Sequence, residues 1–135
     1  MKIIVGYIKS PEGQAAITTA AAEARLRDAE VVVVHSMRGG GRDEAEQSVT
    51  YASELTGLEE RLAADGIRVQ TRELVRGQSP AEDLIEVAKQ EDAALIVIGL
   101  RKRSQVGKLI LGSNAQQILL NAPCPVLAVK AESKD

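Results

Sequence analysis

Short apolar runs alternate along this chain with longer segments of helical periodicity. The runs at 2–8, 30–36 and 94–99 are rich in Val and Ile, and such runs predict strands that are covered on both faces. Residues 67–75 begin with alternating apolar and polar positions, which is typical of an edge strand, and residues 125–130 predict a short final strand.

Helical segments fill the intervals between these strands. Residues 11–27 open with Pro and Glu, which suit the first turn of a helix, and carry alanines throughout. In residues 46–65 the apolar positions recur every three or four residues, and Gly66 follows as a natural helix end. A third helix is predicted to start at 79–80, and a fourth to run from about 113 to 121.

Regular alternation of strands and helices favours a single α/β domain over residues 1–135. We expect three layers, an open twisted parallel sheet of five strands with helices on both faces. The chain contains no Trp, no Phe and two Tyr, so its core has to be aliphatic. Such a core suits buried parallel strands under alanine-rich helices.

Charge and composition disfavour several classes of function. The formal net charge of −2 lacks the basic excess of a protein that binds nucleic acid. One Cys and one His form neither an internal disulfide nor, by themselves, a metal site. No apolar run approaches the about 18 residues of a membrane span, and the first residues do not form a signal peptide. A cytoplasmic protein is therefore expected.

The loop from Gly99 to Ser113 carries the strongest indication of a ligand. In open parallel sheets, ligands bind beyond the carboxyl ends of the strands, and this loop follows the strand at 94–99. It contains three consecutive cations at 101–103 and leads through Gly112 into a helix. We expect Ser113 to satisfy a free N–H there, and a helix N-terminus favours a phosphate. A capped helix after a solvated basic loop fits the same residues equally well.

The segment IVIGLRKRSQVGKLILGSNAQQILLNAPCPVLAVK at 96–130 resembles the C-terminal half of the universal stress protein family. The opening IIVGYIKSPEGQAAI and the segment at 77–81 also fall where that family has them. The family's nucleotide motif is Gly, two residues, Gly, nine residues, Gly, then Ser or Thr. Here the same spacing joins Gly99, Lys102, Gly112 and Ser113.

The resemblance implies an adenine-nucleotide-binding fold with sheet order 3-2-1-4-5, a homodimer and a role in stress survival. It also implies ATP or a related adenine nucleotide as the ligand, with Mg²⁺ as an optional companion. The positions that it carries over as ligand-facing are Tyr7, Ile8, Ser36, Ile98, Gly99, Arg101, Lys102, Gly112, Ser113, Asn114 and Ala115.

Two of these positions depart from the family pattern. Lys102 stands where the family has its second loop glycine, and Ile8 stands where a nucleotide-contacting Asp is frequent. The sequence therefore supports two hypotheses, a nucleotide-binding stress protein and a dimeric interaction protein whose cleft is empty or repurposed. An enzyme is not expected, because no Mg²⁺-holding carboxylate or positioned base accompanies Gly112 and Ser113.

Three further features have simpler interpretations. His35 is expected to be a structural, hydrogen-bonded residue rather than a base contact, since no catalytic partner can be assembled around it. Cys124, between two prolines, is expected to be a buried and inert thiol. The apolar last strand at 125–129 is predicted to pair with a second copy of the chain, as the resemblance also implies.

Overall fold

The computed structural model describes residues 1–37, 44–100 and 111–131, with backbone alone for 44–48. Strands and helices alternate through these residues, as predicted. The strands are β1 (Lys2–Gly6), β2 (Glu30–Met37), β3 (Val69–Val75), β4 (Leu95–Leu100) and β5 (Val126–Lys130). The helices are α1 (Pro11–Arg27), α2 (Glu44–Ala64), α3 (Pro80–Gln90) and α4 (Ser113–Asn121).

The five described strands form one parallel sheet in the order β3-β2-β1-β4-β5. This confirms both the parallel sheet predicted from the alternation and the order implied by the resemblance. β3 is an edge strand, as its alternating pattern predicted, and β5 forms the other edge.

Consecutive apolar residues in the central strands serve two separate cores. Ile3 and Val5 of β1 pack with α1 and α2 on one face of the sheet, whereas Ile4 packs with α3 and α4 on the other. Val31 to Val34 of β2 alternate between the same two faces and are almost fully buried. This arrangement explains why the strands have no polar alternation, because both of their faces are covered.

Serine side chains cap two of the helices. The Ser10 Oγ accepts a hydrogen bond from the Gly13 N–H at 3.0 Å, and the Ser79 Oγ accepts one from the Glu82 N–H at 3.2 Å. Gly66 follows α2 with a φ of +81°, the left-handed conformation that suits a glycine after a helix. Among the described helices, none is long and apolar enough to cross a membrane.

Candidate functional site

A cleft of about 200 Å³ opens at the carboxyl ends of the strands. It lies where the neighbours β1 and β4 send their following helices to opposite faces of the sheet, since α1 joins one core and α4 the other. Such a reversal leaves a crevice, and ligands of open α/β sheets bind in it. The N-terminal ends of α1, α3 and α4 all contribute residues to its walls.

Most of the described positions that the sequence indicated do meet in this cleft. Those that line it are Tyr7, Ile8, Ser36, Ile98, Gly99, Asn114 and Ala115. Arg101 and Lys102, the predicted basic residues of the loop, lie outside the described residues.

Gly112 and Ser113 start α4 but are not among the residues that line the cleft. The prediction that Ser113 caps this helix is wrong. The capping position belongs to Gly112, which makes no side-chain hydrogen bond, and Ser113 is the exposed first residue of the helix. A residue inside the first turn cannot place its hydroxyl as a capping residue does, because the N-cap geometry requires extended backbone at that residue.

Two glycines allow the backbone segments around the cleft to approach each other closely. A Cβ on Gly99 would lie 2.2 Å from the Glu12 carbonyl oxygen, and one on Gly13 would lie 1.8 Å from the Ile8 carbonyl oxygen. The resemblance carried over Gly99 as a ligand-facing position, and the structure adds that the packing of α1 against β4 also requires a glycine there. Only glycine fits such contacts without a backbone shift.

Tyr7 and Ile8 present different surfaces at the end of β1. The Tyr7 side chain is buried with the α1 and α2 core, where its phenol oxygen accepts a hydrogen bond from Gln14 Nε2 at 3.0 Å. Burial raises the pKa of this phenol. Ile8 is 50% exposed, so an apolar side chain stands at the rim where the resemblance has a carboxylate.

The start of α4 is tied to the start of α3 across the cleft. The Asn114 Oδ1 accepts a hydrogen bond from the Ala81 N–H at 3.3 Å. Asn114 is therefore both a wall residue and a link between two helix N-termini. The wall continues with the apolar side chains of Leu84 and Ile118.

Ser36, a residue of β2 that lines the cleft, belongs to a group of hydrogen-bonded polar side chains with Asp83 and Arg76. The Ser36 hydroxyl donates to the Asp83 Oδ2 at 2.5 Å, and the Asp83 Oδ1 accepts from the Arg76 Nε at 3.2 Å. A second Arg76 nitrogen lies 3.1 Å from the same oxygen. Asp83 is 0% exposed, so its charge is compensated by the guanidinium and the hydroxyl rather than by water.

The sequence did not predict the hydrogen-bonded group of Ser36, Asp83 and Arg76, nor half of the residues that line the cleft. Asp83 stands four residues before the buried Val87, within the apolar stripe of α3, and a carboxylate in such a stripe is the signal that could have found it. The lining residues that were not predicted are Gly6, Glu12, Gly13, Val34, Pro80, Leu84 and Ile118.

The His35 side chain lies on the face of the sheet that α1 and α2 cover, and it is hydrogen-bonded, as expected of a structural residue. Its Nδ1 lies 3.0 Å from the Tyr7 carbonyl oxygen, and its ring stacks on Tyr51 with a centroid distance of 3.5 Å. Burial lowers the pKa of His35, which favours the neutral ring with Nδ1 as the donor. This contact holds the end of β2 against the residue that follows β1.

Cys124 differs partly from its prediction. The residue is half-buried rather than buried, and it packs against the α3 and α4 core. Burial nevertheless raises the pKa of its thiol, which disfavours the reactive thiolate. Within the described ranges, no three His, Cys, Asp or Glu side chains lie close enough together to hold a metal ion.

Known proteins resemble this chain over nearly its whole length. The model of the Universal stress protein family matches residues 1–130. A universal stress protein of Mycolicibacterium smegmatis is 39% identical over 128 residues, which cover 95% of this chain and 96% of that protein.

Two solved structures of Archaeoglobus fulgidus universal stress protein share the fold. One is 40% identical with a TM-score of 0.85, and the match covers 96% of this chain and 98% of the other. The second, in complex with dAMP, is 35% identical with a TM-score of 0.80 and the same coverage. Because the family model and a 39% identical relative both span nearly all of it, this chain belongs to the universal stress protein family.

Proposed function

We propose that the cleft binds ATP or a related adenine nucleotide and that the protein is a binding or signalling module of a stress response. The observation that carries this proposal is the cleft itself, at the reversal of the sheet with three helix N-termini around it. The Archaeoglobus fulgidus relative that is 35% identical was solved with dAMP, which supports the same ligand class.

The walls of the cleft suit the two ends of a nucleotide. Val34, Leu84 and Ile98 line the cleft with aliphatic side chains, against which a base can be buried. The first turn of α4 also lines the cleft, and its free N–H groups and helix dipole favour a phosphate. The cations at 101–103 precede this helix in the sequence and add positive charge to the same part of the chain.

Binding without turnover is the activity that these residues favour. Hydrolysis of a phosphoanhydride needs a group that orients the attacking water and charges that stabilise the transition state. His35 is held on the opposite face of the sheet by Tyr7, and Asp83 is occupied by Ser36 and Arg76. Neither residue is placed to act as a general base on a ligand in the cleft.

A direct test is to denature the purified protein, search for released adenine nucleotide, and titrate the nucleotide-free protein with ATP by calorimetry. We expect carried nucleotide or measurable heat. Ala115→Phe should fill the cleft and weaken binding at least about tenfold, because the ligand would lose its space. Leu120→Ala, at an exposed position of the same helix, is the matched control.

Two results would contradict this proposal. The first is the absence of both carried nucleotide and heat up to millimolar ATP. The second is sustained hydrolysis of ATP by the purified protein, which would replace the binding module with an enzyme.

The alternative is a dimeric interaction protein of the same fold that does not use the cleft for a nucleotide. It is favoured by Ile8, whose half-exposed apolar side chain lies at the rim where a polar contact is expected. This hypothesis predicts that Ile8→Asp together with Lys102→Gly gains nucleotide binding. Tight binding of ATP by the unmodified protein would rule it out.

A further inference from the structure

The Ser36 hydroxyl stands between the cleft and the buried carboxylate of Asp83. We propose that Ser36 Oγ is a fixed hydrogen-bond acceptor that makes the cleft select a purine with a 6-amino group over one with a 6-oxo group. This proposal rests on the proposed nucleotide-binding function and adds to it the group that is recognised and the residue that recognises it.

The direction of the Ser36 hydrogen bond follows from the charges behind it. A hydroxyl has one hydrogen to donate and two lone pairs that accept, whereas an ionised carboxylate only accepts. The Asp83 Oδ2 takes the Ser36 hydrogen at 2.5 Å. The side of Ser36 Oγ that remains for the cleft therefore carries lone pairs alone.

The hydrogen bond from Ser36 to Asp83 is stabilised by the other contacts of Asp83. The other Asp83 oxygen is bonded to the Arg76 guanidinium, which also lies 3.7 Å from Glu86. If the Ser36 hydroxyl turned towards a ligand, it would leave an oxygen of a 0% exposed carboxylate without its donor. The loss of a hydrogen bond to a buried charged group is costly, so the hydroxyl keeps its direction.

The sheet order places Ser36 at the base end of the cleft. Ser36 belongs to β2, which is separated from β4 by β1, a distance of about 10 Å at about 4.8 Å for each strand spacing. A nucleotide whose phosphate lies at the α4 N-terminus extends its base towards β2. In a purine nucleotide the sugar is attached to the five-membered ring, and position 6 lies on the far, six-membered ring. The 6-substituent is therefore the group that reaches Ser36.

A 6-amino group and a 6-oxo group have opposite requirements at this wall. The amino group of adenine donates a hydrogen, which the free lone pair of Ser36 accepts. The oxo group of hypoxanthine presents lone pairs to the lone pairs of Ser36 Oγ, so neither oxygen accepts a hydrogen bond from the other, while the Ser36 hydroxyl keeps its bond to Asp83. A site built to pair with one polar group rejects the analogue that cannot pair.

The test compares nucleotides that differ at the six-membered ring of the base. The dissociation constants of AMP and IMP, and of ATP and ITP, are measured by calorimetry on the full chain. We expect the adenine nucleotide to bind at least about tenfold more tightly. Ser36→Ala should bring the two members of each pair within about threefold of each other. Ser53→Ala, the same change at an exposed position of α2, should keep the preference.

Asp83→Asn tests the positioning role of the carboxylate. The new amide can donate a hydrogen to Ser36 Oγ and free the hydroxyl to donate into the cleft. The ratio of IMP to AMP affinity should then rise, a change that a general loss of stability would not produce. If this variant does not fold, the comparison of Ser36→Ala with Ser53→Ala decides the question.

The outcomes separate this proposal from the proposed function. Equal binding of AMP and IMP by the unmodified protein, or a preference that survives in Ser36→Ala, would overturn the role of Ser36 and leave nucleotide binding intact. Failure of all four nucleotides to bind would overturn the proposed function and this inference together.

Discussion

At the scale of single residues, two glycines that line the cleft allow close backbone contacts beside it. The Glu12 carbonyl lies so close to Gly99, and the Ile8 carbonyl so close to Gly13, that each glycine position has room for hydrogen alone. The contact at Gly99 brings the start of α1 onto the end of β4, and the contact at Gly13 brings it onto the segment that follows β1. The site therefore requires that positions 13 and 99 carry no side chain.

Gly99→Ala should lower the free energy of unfolding by about 1–3 kcal/mol, because the new methyl group would overlap the Glu12 carbonyl oxygen. Gly57→Ala is the matched control, since a Cβ there meets no atom within 4 Å and alanine favours the helix by about 0.5–1 kcal/mol. Urea denaturation measures both changes. Equal effects of the two substitutions would contradict the close packing at Gly99.

His35 should make stability depend on pH just below neutrality. Burial lowers its pKa in the folded state, so the unfolded chain binds a proton first as the pH falls below about 6.5. In that range the unfolded state binds more protons, and the free energy of unfolding decreases as the pH falls. Denaturation curves at pH 7.5 and 5.5 measure this loss.

His35→Phe is the control for this pH dependence, because it keeps an aromatic ring against Tyr51 and removes the chain's one histidine. The slope between pH 7.5 and 5.5 should flatten in this variant, whatever its overall stability. A slope that is unchanged would assign the dependence to other groups.

At the scale of elements, the three helices whose N-termini meet at the cleft begin in different ways. α1 and α3 start with a serine whose side chain satisfies a backbone N–H, whereas α4 starts with Gly112 and makes no such bond. The first turn of α4 therefore keeps N–H groups that the helix itself does not use. That is the condition under which a helix N-terminus binds an anion.

Ser79→Ala should reduce the free energy of unfolding by about 1 kcal/mol, because the Glu82 N–H would lose its hydrogen-bond acceptor. Ser113→Ala should change it by less than about 0.5 kcal/mol, since Ser113 is exposed and does not cap α4. Thermal or chemical denaturation of the two variants gives the comparison. A larger loss at Ser113 would restore the capping role that the sequence suggested.

The elements could be predicted from the sequence because each has its own hydrophobic period, and the cleft could be placed because it follows from alternation and strand ends. The strand order required the resemblance, since periodicity does not specify which strands pair. The contact of Ser36 with Asp83 could not be predicted, because the two residues are 47 positions apart and meet only when α3 packs on β2. The predicted ends of some elements differ from those in the structure, because tertiary contacts decide where an element ends. β1, for example, ends at Gly6 rather than at Ile8.

At the scale of the whole molecule, the two edges of the sheet differ. Among the described strands, β5 pairs with β4 alone, and its residues Val126 to Val129 are only half-buried. An apolar edge of this kind can pair with another chain. We propose that β5 is the contact of a homodimer.

Sedimentation equilibrium should therefore give twice the mass of one chain. Val129→Lys should shift the equilibrium to the monomer, because it introduces a charge into the proposed contact. Val75→Lys, on the opposite edge strand β3, is the matched control and should remain dimeric. A monomeric unmodified protein, or equal behaviour of the two variants, would contradict this contact.

The central place of β1 has a consequence for synthesis on the ribosome. Of the five described strands, β1 is made before the others, and it pairs with β2 on one side and with β4 on the other. Its second neighbour begins only at Leu95, so the middle of the sheet stays open until three helices and two further strands have been made. Pairings over such sequence distances slow folding and leave apolar strand edges exposed in the meantime. The nascent chain, with β1 and β2 already formed, is therefore the stage at which this protein most needs protection from aggregation.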